Sequence, residues 1–325
     1  MKIFNPLSGK NAPGNRFCFS VRSIGHRSLH LPIAMRKYSK ITQLMDGVSP
    51  LEVFSCESID EARRAFYQFR MMFDFPYWAA VNFQIRDISS GRIIPLVLND
   101  YQRWLTETLV DYRYYNPSGK YLISKDIPRC GLTTLIQAFI IWNQQCIRNR
   151  NSITYASSFD MKQNLMDNAC RAGIMKRGSD GVSIKKPDTF ALFHQVDSPG
   201  VLDNVSYDYI HISDMSHWYD PSGYNTNGII SSVLNGWNHT PCSMMVLEGD
   251  RVRRPNAHYC YNAYFVKEIE EAGSPYSDFL HIALPQCVPT LVSRPTSNAQ
   301  RLCQDKVSPR KRNVNFVPGN TSDAL

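Results

Sequence analysis

Between residues 121 and 247 short apolar runs alternate with helical stretches, and that alternation constrains the fold more than any other feature. Residues 121–123, 152–157, 189–194, 209–212 and 243–247 read as buried strands. Residues 133–146 and 161–172 carry apolar side chains at helical spacing between them. Strands that alternate with helices imply an α/β fold: a mainly parallel, doubly wound sheet flanked by helices, whose ligands sit at the carboxyl ends of the strands. Upstream, Ser58 and Glu61 form a capping box for a helix carrying Ile59, Ala62, Phe66, Phe69 and Met72. Pro76 interrupts it, residues 81–85 are short and apolar, and Asn99 caps a helix through Gln102, Leu105 and Leu109. Residues 178–188 read as a polar, mobile insertion, and residues 229–234 as helical.

Composition narrows the class. A chain of 325 residues with 43% hydrophobic and 20% charged residues can bury a large core. It is neither disordered nor collagen-like. The longest apolar run, residues 134–142, is far shorter than the ~20 residues that span a bilayer. Lys plus Arg is 36 and Asp plus Glu is 28, a net charge of +8. Residues 1–40 hold eight basic and no acidic residues, so the remainder is neutral overall. The expected organisation is a basic flexible arm over 1–45, an α/β domain over 46–285, and a basic Pro/Ser/Asn-rich tail over 286–325. The arm suits nucleic acid, and it also has the composition of a mitochondrial transit peptide. Nine cysteines with no Cys-x-x-Cys pair suggest reduced thiols in a cytosolic compartment.

Two expected strand ends carry chemistry. After the strand at 121–123 stands Lys125-Asp126-Ile127-Pro128-Arg129-Cys130-Gly131-Leu132-Thr133-Thr134, leading into a helix. Such a loop offers backbone N–H groups and a helix N-terminus to a phosphate. A full P-loop has Lys after the glycine and a hydroxyl next to it for Mg²⁺; here the hydroxyl is Thr133 and the Lys position is Leu132. Taken alone, the loop also suits an ordinary strand-to-helix turn capped by Thr. The second end is Tyr209-Ile210-His211-Ile212-Ser213-Asp214, where a carboxylate opening into the crevice could hold Mg²⁺. His211, inside the strand, reads as a core histidine. Arg251, Arg253 and Arg254, and the run Lys306 to Arg312, are candidate phosphate or nucleic-acid contacts or solvated surface.

With these motifs in this order, residues 70–285 resemble the ATPase domain of the large terminase subunit, the DNA-packaging motor of tailed phages. The stretch Pro95 to Arg103 is similar to the family segment whose Gln meets adenine, here Gln102. Arg129-Cys130-Gly131-Leu132-Thr133 resembles its Arg-x-Gly-x-Ser/Thr Walker A variant, and Ser206 to Asp214 its Walker B approach. Ser243 to Gly249 stands where the coupling motif would be, and Asn262 to Ser274 resembles the helix and turn after it. The resemblance implies a P-loop NTPase-like fold, with ATP and Mg²⁺ as ligands. Gln102 would meet the base, and Lys125, Arg129, Gly131, Thr133 and Thr134 the phosphates. Thr133 and Asp214 would hold the metal, with Arg129 and Asp214 catalytic. It further implies double-stranded DNA, a small terminase subunit and a portal as partners, a possible ring of subunits, no membrane, and the host cytoplasm as location.

The departures matter. Leu132 replaces the usual lysine, and Lys125 lies six residues before Gly131 where some terminases carry their lysine five before. Met215 stands where ATPases place a glutamate, with His217 and Asp220 as distant substitutes. Leu247-Glu248-Gly249 lacks the family's Thr/Ser run. Family members continue into a ribonuclease H-like nuclease, and no nuclease pattern follows Pro285. A motor with a weakened active site is expected. A helicase-type ATPase and a non-catalytic assembly protein that keeps the fold are the alternatives.

Overall fold

The computed structural model of the chain describes residues 16–21, 27–32, 38–87, 90–99, 102–103, 105–106, 109, 118–125, 130–146, 149–172, 175–178, 181–184, 189–195, 206–215, 233–240, 243–250, 279–283 and 316–317. The first elements in chain order are β1 (Arg16–Val21), β2 (Arg27–Pro32), α1 (Ser39–Met45), α2 (Pro50–Phe54), α3 (Ile59–Phe73), α4 (Phe75–Asn82), β3 (Gln84–Arg86) and β4 (Ile93–Pro95). The α/β part follows with β5 (Ser118–Lys125), α5 (Leu132–Cys146), β6 (Ser152–Ala156), α6 (Phe159–Arg171), β7 (Met175–Arg177), β8 (Gly181–Ile184) and β9 (Phe190–Gln195). It ends with β10 (Tyr209–Ile212), β11 (Ser243–Asp250), β12 (Leu280–Ala283) and β13 (Phe316–Val317).

The apolar runs pair as parallel strands because helices cover both of their faces, which is why they read as continuous rather than alternating hydrophobics. All residues of β6 and β10 are buried. The sheet runs β13-β12-β5-β11-β10-β6-β9-β8-β7. Neighbours from β12 to β9 are parallel, and β13, β8 and β7 are antiparallel additions at the two edges. From β5 the chain passes through α5 to β6, leaving a gap that β10 and β11 later fill; β12 then lands on the other flank of β5. That reversal is a topological switch point at β5, the kind of place where doubly wound sheets bind ligands at the carboxyl ends of their strands.

Strand periodicity sorts the core into two layers. Tyr121, Ile123, Tyr209, Met244 and Val246 face α5, packed with Leu135, Phe139 and Trp142. Leu122, Ile210, Ile212, Met245 and Leu247 face the opposite layer with Tyr155, Trp237 and Phe279. Helix α5 is apolar nearly all round and buried along most of its length, as a helix sandwiched on both sides must be. At roughly 1.5–3 kcal/mol for each fully buried large apolar side chain, before entropy is counted, it anchors the domain.

Several local expectations are refined. Ser58 Oγ accepts from Glu61 N–H at 3.3 Å and caps the start of α3, while Glu61 Oε2 accepts from Glu57 N–H at 3.0 Å, one residue before the donor a capping box uses. Pro76 ends α3 but also opens α4, because Asp74 accepts from Tyr77 N–H at 3.1 Å and a first-turn proline has no N–H to satisfy. Helix α4 therefore runs to Asn82 where a short apolar run was expected. Within the basic N-terminal stretch, β1 and β2 pair as an antiparallel hairpin. Helix α1 buries Ile41 and Leu44 in a cluster with Val21, Val53, Phe66 and Phe69. The polar insertion contains β8, which pairs with β7 and with β9 and widens the sheet. Strand β12 was not anticipated.

Candidate nucleotide site at the carboxyl end of the sheet

Lys125 is the last residue of β5, and parity puts it on the α5 side with Tyr121 and Ile123. It is only 6% exposed. An ammonium held that deep needs partners. Lys125 Nζ donates to Asp214 Oδ1 at 2.6 Å and lies 4.0 Å from Glu248 Oε2. Burial alone would lower the Lys125 pKa, but the Glu248 and Asp214 carboxylates outweigh it and raise the value well above the ordinary 10.5.

Asp214 follows β10 by two residues and has a left-handed backbone, φ 49°. Such a conformation is uncommon outside glycine and tends to persist where surroundings enforce it. The enforcement is visible one residue earlier: Ser213 N–H and Oγ–H both donate to the Tyr155 carbonyl of β6, at 3.0 and 2.8 Å. The chain thus turns sharply at the strand end and aims the Asp214 carboxylate at Lys125.

Glu248, in β11 between these two strands, is fully buried. Its Oε1 is 3.1 Å from His211 Nε2, and among the described residues its Oε2 has no hydrogen-bond partner. Burial pushes its carboxyl up, yet Lys125, His211 and the Thr133 hydroxyl together hold it below the usual carboxylate range. His211 is a core histidine as expected, but its Nε2 is engaged with a buried acid and its Nδ1 has no hydrogen-bond partner among the described residues.

The fourth wall is the start of α5. Gly131 has φ 75°, a left-handed turn that glycine takes without steric cost. Its carbonyl accepts Leu135 N–H at 3.0 Å and starts the helix. Thr133 and Thr134 lie in the first turn, half-buried, where N–H groups have no partner within the helix. Leu132 points into the apolar core, 1% exposed. Cys130 is buried beside Lys125, and burial raises its thiol to about 11.

The structure therefore brings Lys125, Gly131, Thr133 and Asp214 together and adds Glu248 and His211. Arg129 lies outside the described residues, as do His217, Asp220, Arg251, Arg253, Arg254, the segment 262–274 and the run 306–312. Gln102 is fully buried: its Oε1 accepts from Asn99 N–H at 3.1 Å, Asn99 Oδ1 accepts from Gln102 N–H at 2.9 Å, and among the described residues its Nε2 has no hydrogen-bond partner. Met215 is fully buried on the far layer among Ile212, Val233 and Leu247. Sequence reasoning missed Glu248, although an acid within an otherwise apolar strand is itself a signal.

Among the described residues no group of three or more His, Cys, Asp or Glu side chains could hold a metal ion by itself. The oxygen donors of Asp214 and Thr133 nevertheless suit Mg²⁺, which is bound by one or two carboxylates together with substrate phosphates rather than by an all-protein cage.

No protein-family model and no curated protein matches the sequence. Among solved structures, the chain is similar to the large terminase of bacteriophage HK97, at 13% identity and a TM-score of 0.41 over 54% of this chain and 36% of that one. It is also similar to the large terminase of a thermophilic bacteriophage, at 6% identity and a TM-score of 0.42 over 63% of this chain and 49% of that one. A structure of the same thermophilic phage terminase in complex with ADP gives 10% identity and a TM-score of 0.38, over 60% and 47% of the two chains. The chain spans between a third and a half of the length of the phage large terminases it matches.

Proposed function

We propose that this chain binds Mg·ATP at the carboxyl end of its parallel sheet and hydrolyses it to move double-stranded DNA, as the ATPase part of a phage packaging motor. The observation that carries the reading is the buried Lys125–Asp214 pair, 2.6 Å apart, beside Glu248 and the first turn of α5. Burying such charges is expensive, and fold stability alone rarely rewards it; a polyphosphate and a divalent ion give each of them a partner.

In this reading Lys125 leaves Asp214 for the β- and γ-phosphates, supplying the charge that Leu132 cannot. Gly131 allows the backbone to approach phosphate, and the first-turn N–H groups of α5 donate to it. The Asp214 carboxylate and the Thr133 hydroxyl would hold Mg²⁺, which neutralises phosphate charge when bound. Gln102 Nε2 is placed in this reading to donate to the adenine base. Arg129 supplies further positive charge to the phosphates.

The DNA part of the proposal rests on the sequence resemblance and on charge. Residues 1–40 carry eight basic and no acidic residues, a sequence-independent electrostatic footprint. A small terminase subunit and a portal as partners, a ring of subunits and the host cytoplasm as location belong to the same proposal. Leu132 and Met215 favour a non-catalytic assembly protein, but the buried Glu248 removes the main ground for it.

The test is steady-state ATP hydrolysis with and without long duplex DNA, alongside duplex binding across a salt series. The proposal expects DNA-stimulated turnover, and binding whose salt slope flattens when residues 2–40 are deleted. Turnover indifferent to DNA, with affinity unchanged by the deletion, would contradict the motor assignment.

A further inference from the structure

We propose that Glu248 is the carboxylate that orients the attacking water and takes its proton, and that His211 is the positioning residue that fixes it. This rests on the ATPase reading above. Residue 215, next to Asp214, is placed where it cannot do this work: Met215 belongs to the far core layer. Glu248 shares the α5 side with Lys125 and His211, one strand from each.

The carboxylate is held asymmetrically. His211 Nε2 meets Oε1 at 3.1 Å and the Thr133 hydroxyl lies close to the carboxylate, while Oε2 has no hydrogen-bond partner among the described residues and is 4.0 Å from Lys125 Nζ. A fully buried carboxylate oxygen with no donor is rare and needs a reason. Lys125 stands beside that oxygen and pairs with Asp214. When phosphate draws Nζ away, Oε2 opens to the crevice and can accept a water O–H. With Glu248 ionised, the contact with His211 requires the Nε2–H tautomer, so His211 donates and locks the rotation of the carboxylate.

The step balances. The water oxygen forms a bond to the γ-phosphorus while the bond from that phosphorus to the β–γ bridging oxygen breaks, its electron pair leaving on ADP. The water proton passes to Glu248 Oε2 and then to the released phosphate.

The experiment pairs calorimetric Mg·ATP affinity with single-turnover hydrolysis, the bound nucleotide being identified after quenching. Glu248→Gln should bind Mg·ATP within about threefold of wild type, retain it as ATP, and turn over ~10²–10⁴-fold more slowly. Should Glu248→Gln not fold, Glu248→Asp keeps the charge but withdraws the carboxylate; it should bind normally and hydrolyse at least about tenfold more slowly. His211→Leu should lower turnover at unchanged affinity, and His211→Gln, whose amide can still donate, should recover most of that loss. Wild-type hydrolysis in the Glu248 variants overturns the proposal, as does loss of ATP binding in step with loss of turnover, which marks a structural role. A wild-type chain that does not bind Mg·ATP, or that binds without hydrolysing it, overturns the ATPase reading itself, whereas a hydrolysing wild type with unaffected Glu248 variants overturns only the role of Glu248.

Discussion

Strand β10 has a buried aspartate at each end, and the two are treated oppositely. Asp208, just before the strand, is saturated: Oδ1 accepts from Arg150 Nη1 at 2.7 Å and Thr240 Oγ1 at 2.9 Å, and Oδ2 accepts from Asn151 N–H at 3.0 Å. Its carbonyl accepts from Trp237 Nε1 at 3.2 Å and from Met244 N–H at 2.9 Å, and Arg150 also donates to Thr240. The Asp208 carboxylate is complete as it stands. At the other end Asp214 sits on a left-handed residue against a buried lysine, with Glu248 Oε2 and His211 Nδ1 lacking partners nearby. A structural acid gathers every donor it can use. An acid kept for a ligand leaves part of its neighbourhood unfinished, at a cost the ligand removes.

The comparison can be broken by substitution. The largest effect is expected at Leu132, the position where a P-loop has lysine. Leu132→Lys would drive an ammonium into the apolar layer around α5 and should lower unfolding free energy by about 3–5 kcal/mol, read by denaturant melts, without raising turnover. A stable, faster variant would show that the charge at Lys125 is not the one used. Next, Asp208→Ala should cost about 3 kcal/mol because it strands Arg150, yet leave Mg·ATP affinity of the folded protein unchanged. Asp214→Asn also breaks a buried pair and should cost stability comparably, but it should in addition reduce Mg·ATP affinity about tenfold or more, equivalent to about 1.4 kcal/mol or more. Equal effects on affinity at the two aspartates would erase the distinction.

The smallest expected effect is on pH dependence. The Glu248 carboxyl lies below its ordinary 4.5 in the folded chain, so its contribution is present above that value and is lost as pH falls through the lower folded value. The Lys125 ammonium lies above its ordinary 10.5, so its contribution is present below that value and disappears only as pH rises beyond it. Stability should therefore form a plateau between these limits for this site. Glu248→Gln should flatten the acid limb, whereas an unchanged acid limb would mean that Glu248 is not charged in the folded protein.

Much of the α/β frame was legible because local and global signals agree. Helix α5 and strands β6 and β10 are continuous apolar runs, and Ser58 and Glu61 mark the start of α3. What stayed hidden is made by distant pairing. Strand β12 has only Leu280 to Ala283 to announce it, and its partner β5 lies far away in sequence. The hairpin of β7 and β8 is polar, and it is strand only because β9 offers an edge. In the site, Lys125, Thr133 and Asp214 were readable from the motif order. The place of Glu248 beside them was not, because it depends on β11 lying between β5 and β10, and strand order is absent from a linear reading.

The most direct test of the account is the stability of the folded chain with and without saturating Mg·ATP, measured on wild type, Asp208→Asn and Asp214→Asn. A ligand that binds only the native state adds about 2.7 kcal/mol at a hundred times its Kd. The account predicts that gain in wild type and in Asp208→Asn, whatever their baseline stabilities, and a gain cut to about 1.4 kcal/mol or less in Asp214→Asn at the same nucleotide concentration. No gain in wild type, or an equal gain in all three proteins, would contradict the assignment of a Mg·ATP site to Lys125, Thr133 and Asp214.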